Sequence, residues 1–144
     1  MTGRVSECGF LLDTHAVLWA LDRPEALSET ARIAAGTGPN FLSVVSYWEI
    51  TVKSMKGKLD VGDPRAWWRE AVRQLAATVV LLRPEHVAAV YNLPPIHKDP
   101  FDRVLIAQAS VEGLTLVTSD AEVARYASKS VRVVGQSELK AHSG

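Results

Sequence analysis

The chain has a single cysteine, Cys8, so it forms no internal disulfide, and no second cysteine or suitably spaced histidine joins it in a zinc site. It has no long apolar run, which removes a membrane span from the reading. It has no excess of either charge: 16 basic and 16 acidic residues cancel, whereas a protein that coats nucleic acid is usually strongly basic. A nuclease is still allowed, because acids that do chemistry offset basic residues elsewhere. No glycine-rich phosphate cradle is present, since Gly36-Thr37-Gly38 precedes a strand candidate instead of following one. Residues 1–9 lack the hydrophobic segment of a secretory signal, so a cytoplasmic location is expected. Apolar residues make up 47% and charged ones 22% of 144 residues, enough for one well-packed core. One domain is expected, residues 1–144 with the core at about 10–134.

Strand and helix signals alternate along the chain. Phe10-Leu11-Leu12 reads as a short buried strand, with a helix over residues 15–21 and another capped by Ser28. Residues 41–45 form a second strand candidate, and Ser46 is expected to open a helix that Gly57 stops. Asp63-Pro64 and Asp99-Pro100 each pair a cap with proline at the first helical position. Residues 78–82, 114–118 and 131–134 read as further strands, Pro84 starts a short helix, and residues 121–127 form a last one. This order predicts a parallel sheet of about five strands with helices on both faces, a three-layer α/β/α sandwich.

Acidic residues stand at the informative places: Asp13 after the first strand, Glu49 in Ser46-Tyr47-Trp48-Glu49-Ile50, Asp102 in Asp99-Pro100-Phe101-Asp102-Arg103, and Asp120 after Thr118-Ser119. Each has a structural reading. Asp13 and Asp120 read as helix N-caps. Glu49 completes a capping box with Ser46 and precedes Lys53 by one helical turn. Asp102 resists this treatment. It heads an apolar stripe with Ile106 and Ala109, where a buried carboxylate needs a partner, and Asp99 already caps that helix. All four starts belong to the edge of a parallel sheet where ligands bind. Carboxylates gathered there repel one another unless divalent cations oppose them, which points to metal-dependent phosphate chemistry.

Other features read more plainly. His15 has no second histidine at ligand spacing. His97-Lys98 lies in a proline-rich loop and reads as exposed, with a phosphate contact as the alternative. Trp19, Trp48, Trp67 and Trp68 recur at helical spacings and read as core or dimer packing. From Lys53 to Arg73 six basic residues stand against three acidic ones, a mild bias that reads as a solvated helix face.

These pieces resemble the PIN domains, and more narrowly the VapC-type toxins of prokaryotic toxin–antitoxin pairs. The resemblance spans residues 10–134 and is carried by Leu11-Leu12-Asp13-Thr14-His15, Ser46-Tyr47-Trp48-Glu49-Ile50 with Lys53 and Gly57-Lys58-Leu59, Asp99-Pro100-Phe101-Asp102-Arg103 running into Leu105-Ile106-Ala107-Gln108-Ala109, and Thr118-Ser119-Asp120. It implies an endoribonuclease whose acidic quartet, Asp13, Glu49, Asp102 and Asp120, holds Mg²⁺ or Mn²⁺, with Asp99 as an auxiliary acid. Thr14, Ser119 or Arg103 would orient the acids. It also implies an RNA substrate of the tRNA or rRNA class, a homodimer, and a cognate antitoxin that holds the toxin inactive. A PIN nuclease of RNA processing is the nearest alternative. A phosphoacceptor receiver module would want adjacent acids after its first strand and a lysine after its last, and a haloacid-dehalogenase phosphatase would want a second aspartate at position 15. A non-catalytic domain using its acids as caps remains the bland alternative.

Overall fold

The computed structural model describes residues 9–96, 99–127 and 132–135. The chain starts with β1 (Phe10–Leu12), α1 (Thr14–Asp22) and α2 (Glu29–Thr37), a short 3₁₀ turn at Pro24–Ala26 lying between the helices. Next come β2 (Asn40–Ser43), α3 (Val44–Met55), α4 (Pro64–Gln74) and β3 (Thr78–Val80). The second half holds α5 (Pro84–Val90), α6 (Pro100–Glu112), β4 (Thr115–Thr118), α7 (Ala121–Ala124) and β5 (Arg132–Gly135). The five strands are all parallel, in the order β3-β2-β1-β4-β5.

Successive strand residues point to opposite faces, and here both faces are covered. Leu12, Leu42 and Val117 pack on one side with Ala16 and Val17 of α1, Ala31 and Ala34 of α2, and Ala71 of α4. Leu11 and Leu116 pack on the other side with Ile106 and Ala109 of α6, Val123 of α7 and Tyr126. This is why the strands read as short unbroken apolar runs. Each fully buried Leu or Ile contributes about 1.5–3 kcal/mol, so the central strands are fixed firmly. The predicted three-layer sandwich with a five-stranded parallel sheet is what forms.

Several boundaries differ from expectation. At α3 the start differs: the helix opens at Val44, where the Ser43 hydroxyl, at the end of β2, accepts the backbone N–H of Val45 at 3.0 Å. Ser46 is therefore inside the first turn and Glu49 inside the second, so the expected Ser46–Glu49 capping box does not exist. The consecutive valines Val44 and Val45 favour a strand locally, but packing overrides them, with Val45 buried. β3 stops at Val80, leaving Leu81 and Leu82 exposed, and α7 stops at Ala124. The cap-plus-proline starts at Asp63 and Asp99 hold, and Gly113 ends α6 in the left-handed region at φ 69°. The tryptophans divide: Trp19, Trp67 and Trp68 pack against the core, while Trp48 is 55% exposed and meets Phe101 edge-on at 5.0 Å. His97 and Lys98 lie outside the described residues.

Candidate active site

The strand order reverses between β1 and β4, the place where open α/β sheets leave a crevice beyond their carboxyl ends. Asp13 follows β1 and Asp120 follows β4 by two residues, so the topology brings both to that crevice. The junction is tied across the strands. The Asp13 N–H donates to the Val117 carbonyl at 2.9 Å, and the Thr118 hydroxyl donates to Asp13 Oδ2. Asp13 Oδ1 meanwhile accepts the Ala16 N–H at 2.9 Å, capping α1. Asp120 caps α7 in the same way, accepting from the Glu122 N–H at 2.8 Å. The expected caps are therefore real.

Capping does not exhaust these acids. Asp13 is buried, and its pKa is pushed from an ordinary 3.8 to about 6. Burial is the largest cause; the bonds from Thr118 and Ala16 resist it, and the charges of Asp120 and Glu49 add to it. The charges of two acids from two other elements, Glu49 in α3 and Asp120 after β4, thus bear on Asp13. Glu49 reaches this neighbourhood from α3. The Thr14 hydroxyl donates to Glu49 Oε1 at 2.6 Å and lies 3.0 Å from Ser46 Oγ, a small buried side chain that lets α1 and α3 approach. Lys53 Nζ donates to Glu49 Oε2 at 2.7 Å.

Asp99 and Asp102 sit at the start of α6. Asp99 accepts from the N–H groups of Phe101 at 2.9 Å and Asp102 at 3.3 Å, so the first-turn donors are served by Asp99, as the sequence implied. Asp102 is half-buried. Lys53 links this pair to Glu49. Burial works against its ammonium, yet the hydrogen bond to Glu49 and the charges of Glu49, Asp99 and Asp102 outweigh it and hold the pKa above its ordinary value. The electrostatic chain runs from Asp120 through Asp13 and Glu49 to Lys53, Asp99 and Asp102.

The donor chemistry fits a hard cation, because every candidate ligand is a carboxylate oxygen and the buried Asp13 lies under two like charges. The spacing is not that of a finished cage. Among the described residues, no three acidic, histidine or cysteine side chains stand close enough to hold an ion as they are. Protein donors occupy oxygens a cation would use: on Asp13, the Ala16 N–H and the Thr118 hydroxyl; on Glu49, Thr14 and Lys53.

Over this geometry, the sequence profile of the PIN domain matches residues 10–129. The chain belongs to the PIN domain family. Ribonuclease VapC22 of Mycobacterium tuberculosis is a distant relative of this PIN domain, 28% identical over 112 residues that cover 76% of this chain and 85% of that protein. Among solved structures, VapBC2 from Rickettsia felis, bound to a DNA fragment from its promoter, superposes with a TM-score of 0.63 at 14% identity, covering 87% of this chain and 96% of the matched one. FitAcB from Neisseria gonorrhoeae superposes with a TM-score of 0.57 at 20% identity, covering 90% and 99%. At these identities the structural likeness speaks for the fold.

One orienting group was missed in the sequence. Thr118, not Ser119, bonds to Asp13; as the last residue of β4 it is fixed by the sheet, which is the signal that could have found it. Among its contacts, the Arg103 guanidinium donates to the carbonyls of Pro94 (3.1 Å) and Val90 (3.2 Å) and to the Tyr126 hydroxyl (3.2 Å), tying α6 to the end of α5 and to the segment after α7. Thr14 does orient an acid, Glu49. His15 is exposed and meets the Trp19 ring at 6.1 Å.

Proposed function

We propose that this PIN domain is a metal-dependent endoribonuclease acting as the toxin of a toxin–antitoxin pair, hydrolysing RNA phosphodiester bonds with Asp13, Glu49, Asp102 and Asp120 as ligands and Asp99 as an auxiliary acid. One observation carries the reading: the buried Asp13 carboxyl, tied to Thr118 at the sheet's switch point, lies under the charges of Glu49 and Asp120, an arrangement that a divalent cation would relieve. The relatives named above support the biological side.

Bound among these acids, Mg²⁺ or Mn²⁺ would supply the positive charge that polarises the scissile phosphate and acidifies the attacking water. The chain's own residues set the stage for this. Thr118 aims Asp13, Thr14 aims Glu49, and Asp99 takes over the capping of α6 so that Asp102 need not. The exposed Trp48 ring, one residue before Glu49 in α3 and edge-on to Phe101 of α6, would offer a flat surface for a base of a single-stranded target. An antitoxin would lay an apolar helix near the site and present a basic side chain to the acids. A second copy of the chain completes the expected assembly.

The test is cleavage of tRNA and ribosomal RNA with Mg²⁺ and after chelation, alongside induced expression in a bacterial host. Cleavage that needs the cation, and growth arrest abolished by a folded Asp102→Asn, is the expected result. Cleavage without the cation, or unchanged in Asp102→Asn, overturns the metal-dependent mechanism. Cation-dependent cleavage in a parent that leaves growth untouched points to RNA processing instead.

A further inference from the structure

Glu49 poses a problem of its own. Its side chain is 2% exposed, and a carboxylate so buried needs compensation close at hand. The compensation is divided. The Thr14 hydroxyl takes Oε1 at 2.6 Å, and the Lys53 ammonium takes Oε2 at 2.7 Å from one helical turn further along α3. The two partners differ in freedom. Thr14 is buried at the start of α1, whereas the Lys53 side chain is 35% exposed, so its ammonium has a route to water. Lys53 also lies under the charges of Asp99 and Asp102, which come from α6. The Lys53 ammonium, on a flexible stem, therefore stands where acids from two helices meet.

We propose that Lys53 is the site's built-in counter-ion: it holds Glu49 Oε2 in the metal-free protein and yields that oxygen when a divalent cation enters. This rests on the metal-dependent reading above. The argument is one of charge and geometry. An ammonium hydrogen-bonds at 2.7 Å and carries one charge, while Mg²⁺ takes oxygen ligands at about 2.0–2.1 Å and carries two. Both cannot occupy the same direction at Oε2. Binding is then an exchange in which Lys53 moves outward, and the cost of breaking the Lys53–Glu49 pair weakens the apparent affinity. Without Lys53, Glu49 would be an uncompensated buried charge in the metal-free state. Lys53 thus steadies the empty site and sets the cation concentration at which it fills.

The experiment titrates Mg²⁺ and Mn²⁺ calorimetrically into the metal-free parent, Lys53→Met and Lys53→Arg, with the Tm of each metal-free protein measured alongside. Lys53→Met keeps the apolar stem and loses the charge, so its Kd should tighten on the order of tenfold, from removing a like charge within several ångströms of the cation. Its metal-free Tm should fall, because Glu49 loses its ion pair. Lys53→Arg should stay close to the parent in both. In the unmodified parent, the Lys53 side-chain NMR signals should move in step with saturation, a readout that does not depend on any variant folding. Cation binding by the parent with equal or weaker binding by folded Lys53→Met, or with unmoved Lys53 signals at saturation, overturns the exchange and leaves the nuclease reading intact. A parent that binds neither cation overturns both.

Discussion

Asp13→Asn tests the electrostatics of the site without needing a substrate. Asparagine has nearly the shape of aspartate and is its equal as an N-cap, so its amide oxygen can keep the Ala16 N–H and hold α1. The Thr118 hydroxyl can turn to accept from the new amide group. What the substitution removes is the buried charge. The native carboxyl titrates at about 6 against an ordinary 3.8, so the folded protein binds this proton more tightly than the unfolded chain does. The sign follows directly: acid favours the native state through Asp13, and above pH 6 the ionised group counts against it. Each pKa unit is worth about 1.4 kcal/mol, so Asp13 costs the metal-free parent on the order of 3 kcal/mol at pH 7. That penalty shrinks as the pH falls through the window between the two values, to roughly half a kcal/mol at pH 4.

Metal-free Asp13→Asn should therefore be more stable than the parent at pH 7, by up to about 3 kcal/mol, and close to it at pH 4. Urea unfolding of both proteins in chelator, at steps from pH 4 to pH 8, measures the difference. Divalent cation should then reverse the ranking in part, because ligand at a hundred times Kd stabilises the parent by about 2.7 kcal/mol and leaves the variant unmoved. If the two stability curves run parallel across the pH range, the Asp13 charge is compensated in the native state. The account of a site short of positive charge would then be wrong.

Three further outcomes follow from the same contacts. Glu49→Gln should abolish RNA cleavage while changing stability by only about 1 kcal/mol, since an amide can keep the Thr14 bond and Lys53 can hydrate; a variant that cleaves at the parental rate would make Glu49 structural. Thr118→Val removes a donor to Asp13 and an acceptor for the Asp120 N–H, so it should lower stability by roughly 1–3 kcal/mol. It should also raise the Asp13 pKa above about 6, read from the carboxyl chemical shift in a pH titration, and an unmoved or lower value would refute the role given to Thr118.

Much of the fold was legible because both faces of the sheet are covered. That condition turns strands into apolar runs such as Phe10-Leu11-Leu12 and leaves the caps and prolines at Asp63-Pro64 and Asp99-Pro100 to mark helix starts. The misplaced start of α3 has a definite cause. Ser43 and Ser46 are both good caps, and Ser46-x-x-Glu49 imitates a capping box, so local chemistry favours the wrong serine. The decision was made by Val45, whose burial against the core carries the helix back to Ser43.

The acids were legible for a different reason. Their positions relative to strand ends and helix starts are fixed by chain order, and chain order with right-handed crossovers fixes which edge of the sheet they share. Their partners are not fixed in this way. The Thr118 bond to Asp13 spans 105 residues and the Thr14 bond to Glu49 spans 35, so neither has a local spacing to betray it. Lys53 shows the limit most sharply. In the sequence it is an ordinary helical partner for Glu49, one turn away, of a kind that contributes little on a solvent-exposed surface. Burial of Glu49 changes its meaning, because the same pair now compensates a charge that water does not reach. The local pattern was read correctly and its weight was not, since weight depends on burial, and burial is settled only when α1, α3 and α6 have packed around the crevice.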